Sequence, residues 1–272
     1  MEAQQRSGFG PRVLGRTGLV VGPIGLSASY GVPTEAVERA FERGANYLYW
    51  GSLRRERFAR AIRNLAPQRD RMVLVLQSYT FAPRLITWNV ERGLRRLGFD
   101  HADVLLLGHA TRPLKEPTLD AFRRLRERGL VRALGVSTHN RPLIPLLARN
   151  PDIGVIHLRY NAAHRGAERD VFPLLDAGDR PGLVAYTATN LTRLLNPRRL
   201  PAGERVPTAG ACYRFCLSHP FVDAVATGPA KAAHAEESLD AAARGVMSEE
   251  ELAWMRRVGD AVHRTKKWSR KR

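Results

Sequence analysis

Three side chains able to hand a proton to an oxygen stand at the ends of short apolar runs. Tyr49 lies in the run 47–50, Tyr79 follows the run 72–77, and His109 follows the run 103–107. A phenol and an imidazole are both groups that general acid–base catalysis uses, and strand C-terminal ends are where α/β barrels do their chemistry. The same three also suit plain packing of a barrel mouth. Cys212, Cys216 and His219 form a second constellation on a helical segment, a spacing that can ligate a metal but supplies no fourth partner. Cysteines four apart on a helix are poorly oriented for a disulfide, and reduced thiols agree with a cytoplasmic address. No phosphate-binding Gly-rich loop with Gly-Lys-Ser/Thr, no Gly-x-Gly-x-x-Gly after a strand and no Gly-x-Ser-x-Gly elbow occurs.

The elements that must position these residues follow from hydrophobic patterning. Eight β-branched or Leu-rich runs, at 20–26, 47–50, 72–77, 103–107, 133–137, 154–158, 183–187 and 224–227, read as strands. Amphipathic segments at 34–43, 55–64, 85–97, 119–128, 143–148, 170–175, 211–218 and 232–243 alternate with them, several closed by a glycine such as Gly44, Gly98 or Gly129. Strands that alternate with helices form a parallel sheet, and about eight such units close into a (β/α)8 TIM barrel of about 250 residues. The chain's 272 residues accommodate one such domain, taken as 1–265. Residues 12–14 and 19–21 around Gly15–Arg16–Thr17–Gly18 read as an N-terminal hairpin that plugs the lower end of the barrel. Ser248 with Glu251 makes a capping box for an extra C-terminal helix reaching about His263. The Pro/Gly-rich stretch 196–210 is read as a loop on the ligand-binding face.

The formal charge of +18 raises nucleic acid as a partner. Lysine, however, occurs only at 115, 231, 266, 267 and 271, and the arginines are spread over helix faces rather than gathered, so nucleic acid is not the expected partner. The exception is the basic tail 266–272, expected to be disordered. No apolar run approaches the roughly 18 residues of a membrane span, and the first residues carry no secretory pattern, so a membrane partner is not expected either.

Six collinear stretches resemble the aldo-keto reductase family: VLGRTGLVVGPIGLS, ERGANYLYWGS, GLVRALGVSTHN, YNAAHRGAERDVFPLL, GLVAYTA and CLSHPFVDAVATGP. The resemblance implies reduction of a carbonyl compound by NAD(P)H, with an Asp, Tyr, Lys, His set moving the proton. At each of those positions this sequence departs from the family. Tyr49 stands for Asp, the segment after Gly51 is too short to carry the Tyr, Gln77 stands for Lys, and Gly108 stands for His with His109 next to it. Tyr49, Gln77 and His109 are therefore the candidate altered acid–base site. The cofactor positions are closer to the family. The resemblance implies that Ser137 holds the nicotinamide amide, Tyr186 stacks on its ring, and Thr187 lies near the pyrophosphate. It also implies that Gly228, Lys231, Glu237 and Ser238 form the adenosine-phosphate segment. Thr138 and His157 replace the family's usual Asn and Gln. NADP(H) is the implied cofactor, with NAD(H) as the alternative, and a catalytically silent NAD(P)-binding protein of the same fold is the alternative function.

Overall fold

The computed structural model describes residues 8–51 and 55–269, with side chains through residue 264. Strands β1 (Arg12–Val13) and β2 (Val20–Val21) form an antiparallel hairpin. Eight further strands follow: β3 (Ile24–Ser27), β4 (Tyr47–Trp50), β5 (Val73–Ser78), β6 (Ala102–Leu107), β7 (Val131–Thr138), β8 (Ile153–Arg159), β9 (Gly182–Tyr186) and β10 (Ala224–Thr227). They close into a barrel in chain order, β10 pairing with β3 and every pair parallel. This is the (β/α)8 architecture expected from the alternation.

Alternate side chains of each strand serve two cores. Val73 and Val75 point inward with Tyr47, Val104, Leu106, Val155 and Val184, while Leu74 and Leu76 point outward against the helices. The hairpin contributes Leu14, Leu19 and Val21 to the inner core and so stoppers the barrel from below, as its sequence suggested. Gly15 is required there. Its φ is 49°, and a side chain would strike the backbone of Gly182 at 2.1 Å.

The surrounding helices are α1 (Thr34–Glu42), α2 (Glu56–Asn64), α3 (Pro83–Leu97), α4 (Glu116–Glu127), α5 (Ile144–Ala148), α6 (Ala167–Asp170), α7 (Ala209–Leu217), α8 (Ala232–Ala243) and α9 (Glu249–Ser269). The capping box on α9 forms as read: the Glu251 amide donates to Ser248 Oγ at 3.1 Å, and the Ser248 amide donates to Glu251 Oε2 at 2.9 Å. Two expectations are corrected. The run 20–26 is two strands, because Gly22 turns its amide to the Asn46 side chain and Pro23 has no N–H for a ladder. The helix read at 170–175 is instead α6 followed by a 3-10 turn over Phe172–Leu174, since Pro173 cannot continue an α-helical ladder.

Many of the arginines on helix faces tie neighbouring elements together. Arg63 and Arg96 meet on Glu56, Arg123 bridges Glu116, Asp120 and Asp152, and Arg43 reaches Glu236 and Asp240. Among the described residues no helix is long and apolar enough to cross a membrane. Residues 270–272 and the side chains from 265 onward lie outside the described residues, so of the basic tail only the backbone of 266–269 is described, as the end of α9.

Candidate active site

A cleft of about 910 Å³ opens at the C-terminal ends of the strands. Tyr49, Gln77, His109, Ser137, Tyr186, Thr187, Gly228 and Glu237 all line it, so eight of the ten residues read as acid–base or cofactor positions converge on one site, with Tyr79 beside them. Lys231 and Ser238 are not among its walls. Lys231 is the exposed cap residue of α8, next to the lining residue Ala230, and the buried Ser238 hydroxyl donates inside α8 to the His234 carbonyl at 2.7 Å.

At the centre the Tyr49 hydroxyl donates to Gln77 Oε1. The two residues reach one another diagonally across the β4–β5 pair, in which Tyr49 is registered with Val75. Burial holds the Tyr49 hydroxyl well above its ordinary value, with Tyr79 adding to the effect, so this phenol keeps its proton through the neutral range. Room for the pair comes from Gly108, where a side chain would meet the Tyr79 ring at 2.5 Å and Gln77 Nε2 at 2.7 Å. The next residue, His109, takes a φ of 59°, a conformation unusual for a side-chain-bearing residue, and its amide donates to Ser137 Oγ at 3.2 Å. Such strain is held where the surroundings fix it, often at functional sites.

Beneath the cleft the Tyr47 hydroxyl lies 2.7 Å from His157 Nε2, inside the barrel. Burial pushes the His157 imidazole down to about 3, which leaves it neutral. Thr138 is turned away from the cleft: its Oγ1 donates to the Ala110 carbonyl at 2.7 Å and accepts the Asn140 amide at 3.0 Å. Its role is to shape the rim.

One functional neighbour was missed in the sequence. His139 stacks on His109 at 5.6 Å and meets the Tyr186 ring edge-on at 5.4 Å, and its Nε2 lies 3.1 Å from the Tyr186 hydroxyl. With the Tyr79–His109 stack at 5.4 Å, a belt of rings runs around the mouth. The signal was its position, one residue past the end of β7 and two past Ser137, where an exposed ring can reach the mouth.

On the other flank the loop after β9 enters the cleft with Thr187, Leu191 and Thr192. Thr187, Asn190, Leu191 and Thr192 all have φ between 52° and 64°. Gly228 closes against Tyr30, whose ring a side chain would strike at 2.4 Å. The first turn of α8 carries no acidic residue and no side-chain cap; the His234 amide donates to the Lys231 carbonyl at 3.2 Å, and this helix start follows the cleft residues Pro229 and Ala230. Glu237 accepts the Gly210 amide at 3.1 Å, which links α8 to α7.

The Cys212–Cys216–His219 constellation is used in packing. Both thiols are buried and pushed up by burial, Cys216 Sγ donates to the Tyr160 carbonyl at 3.2 Å, and His219 packs 4.0 Å from the Phe172 ring. Among the described residues no group of three or more His, Cys, Asp or Glu is arranged to hold a metal ion.

The model of the Aldo/keto reductase family matches residues 33–199. The chain belongs to that family. Aldo-keto reductases are also what its barrel resembles among solved structures. A holo-form aldo-keto reductase of Bacillus halodurans superposes with a TM-score of 0.78 at 21% identity, over 93% of this chain and 97% of that one. An aldo/keto reductase of Klebsiella pneumoniae, solved in complex with NADP and acetate, gives 0.71 at 22% identity over 95% and 96%. A putative aldo-keto reductase of Pseudomonas aeruginosa gives 0.67 at 19% identity over 89% and 98%. No curated protein sequence matches the chain. At these identities the solved structures share the aldo-keto reductase fold, and the chemistry of this member rests on its own residues.

Proposed function

We propose that the protein is an NADP(H)-dependent oxidoreductase that reduces a carbonyl compound, with an acid–base site rebuilt from the uncharged Tyr49–Gln77 pair and His109. The observation that carries this reading is the convergence on one cleft of Tyr49, Ser137, Tyr186 and the uncapped start of α8. The residues fit a dinucleotide. Tyr186 offers a flat ring face in the cleft wall, and Ser137 keeps its own hydroxyl proton while its oxygen accepts from the His109 amide. The uncapped N–H groups of α8, with Lys231 at the cap, suit a phosphate at the other end. NADP in the Klebsiella pneumoniae relative and the Lys231 cation both favour the phosphorylated dinucleotide over NAD(H).

When bound, the reduced nicotinamide supplies a hydride. The protein must then supply a proton to the carbonyl oxygen, and Tyr49 is the hydroxyl placed for it. Gln77 orients Tyr49 but cannot acidify it, because an amide carries no charge to stabilise a phenolate. The proton donor is therefore weak, and turnover is expected to be slow and confined to reactive carbonyls.

A second reading, a nucleotide-binding protein without turnover, draws on the same bond. The Tyr49 proton is committed to Gln77, and no lysine or arginine lines the cleft among the described residues. Titrating the protein with NADPH while following nicotinamide fluorescence, then assaying aldehydes, ketones and quinones, separates the readings. Binding with turnover supports the reductase, binding without turnover selects the second reading, and no binding removes both.

A further inference from the structure

Next to the cleft residue Tyr186, on the neighbouring strand, stands a positive side chain for which the described residues supply no ion-pair partner. Strand β8 sends alternate side chains inward, Val155 into the inner core and His157 beneath the cleft, and the period continues to Arg159 at its C-terminal end. The Arg159 backbone is registered with that of Tyr186 on β9. Arg159 is half-buried, and among the described residues no carboxylate or hydrogen-bond acceptor takes its guanidinium. Other half-buried or buried arginines are matched: Arg180 with Asp223, Arg214 with Glu251, Arg165 with Asp260.

The charge of Arg159 is felt at two groups of the ring belt. It acts on the Tyr186 hydroxyl, and it adds to the burial that holds the His139 imidazole below its ordinary value. His139 in turn stacks on His109 and lies against the Tyr186 ring, so Arg159 and His139 stand just outside the cleft wall, behind its lining residues Tyr186 and His109. A partly enclosed guanidinium with ring N–H donors next to it is chemistry that binds a carboxylate.

We propose that Arg159, with His139 and His109 beside it, is an anion subsite, and that the substrate is an oxo acid whose carboxylate this subsite holds next to Tyr186. This assignment rests on the reductase reading above. The carbonyl carbon of the oxo acid gains the hydride from the reduced nicotinamide and its oxygen gains a proton. The products are the hydroxy acid and the oxidised dinucleotide. The weak donor at Tyr49 makes a matching demand, since a carbonyl flanked by an ion-paired carboxyl group is more electrophilic than an isolated ketone.

Two measurements on the whole protein test this. Calorimetric titration with oxamate, a non-reducible mimic, reads the subsite directly. The ratio of kcat/KM for phenylglyoxylate over its methyl ester reads it in turnover. Arg159→Gln is expected to weaken oxamate binding by about 10- to 100-fold and to cut the acid-over-ester ratio by a similar factor. Arg159→Lys should recover part of both. Arg149→Gln, which removes an exposed cation at the end of α5, should leave both at the wild-type value. The proposal is overturned if oxamate binds equally to Arg159→Gln, or if the wild-type protein reduces the ester as well as the acid. Arg159-dependent oxamate binding without NADPH binding would remove the reductase reading and leave the subsite standing. NADPH-driven turnover without acid preference would remove the subsite alone.

Discussion

Replacing Gln77 by lysine puts an ammonium where an amide now meets the Tyr49 hydroxyl, and the consequence can be worked from the geometry. At about 3 Å and an effective dielectric of about 20, Coulomb's law gives roughly 5 kcal/mol between a phenolate and an ammonium. That corresponds to about 4 pKa units at about 1.4 kcal/mol each. Gln77 is only 7% exposed, so desolvating the new charge takes back part of this gain and lowers the melting temperature. A net fall of about 2 units in the Tyr49 pKa is expected, against the burial that now raises it. Ultraviolet difference titration of tyrosinate reads the shift, and kcat/KM for an aldehyde with NADPH should rise by about 10- to 100-fold. Gln77→Met, similar in length but uncharged, should give neither change. A Tyr49 pKa that falls while kcat/KM stays at the wild-type value would show that Tyr49 is not the proton donor.

Three further outcomes are expected. His157 is pushed down to about 3 in the folded protein, against about 6.5 unfolded, so between these values only the unfolded chain takes the proton. Stability contributed by His157 is thus present above about pH 6.5 and lost toward pH 3, at up to about 1.4 kcal/mol per pH unit. His157→Gln should flatten the fall of urea midpoints between pH 6 and pH 4, and unchanged slopes would contradict the assignment. Asp103, with its side chain 1% exposed, accepts Arg69 at 2.8 Å, Arg132 at 3.1 Å and the Leu74 amide at 2.8 Å. Asp103→Ala should cost about 3–5 kcal/mol in denaturant unfolding, and a loss under about 1 kcal/mol would count against that network. Tyr186→Leu should weaken NADPH binding by about 3- to 10-fold while Tyr186→Phe stays near wild type, since stacking needs only the ring face; equal losses would point to the hydroxyl instead.

The barrel was legible because each buried strand reads as an apolar run and each helix as an amphipathic stripe bounded by glycine or proline. The hairpin plug was legible from Gly15 and Gly18 between short apolar pairs. Where a proline interrupts a run, as at Pro23 and Pro173, the pattern reads as one element although the backbone makes two. The site was legible as a set of strand ends but not as a set of bonds. The Tyr49–Gln77 hydrogen bond depends on a diagonal reach across a registered strand pair, and register is invisible in a single sequence. Ser238 looked like a binding residue by position along the chain, yet the turn of α8 spends its hydroxyl on His234. His139 and Arg159 were passed over because each sits two residues beyond a recognised position, His139 just past the end of β7 and Arg159 at the last residue of β8.

Crystals of the protein grown with NADP+ address the central claim most directly. The account predicts the dinucleotide along the rim cleft, its nicotinamide on the Tyr186 face with the carboxamide at Ser137, and a phosphate at the start of α8. A cleft left empty at saturating NADP+, or a dinucleotide bound away from Tyr186, would contradict it.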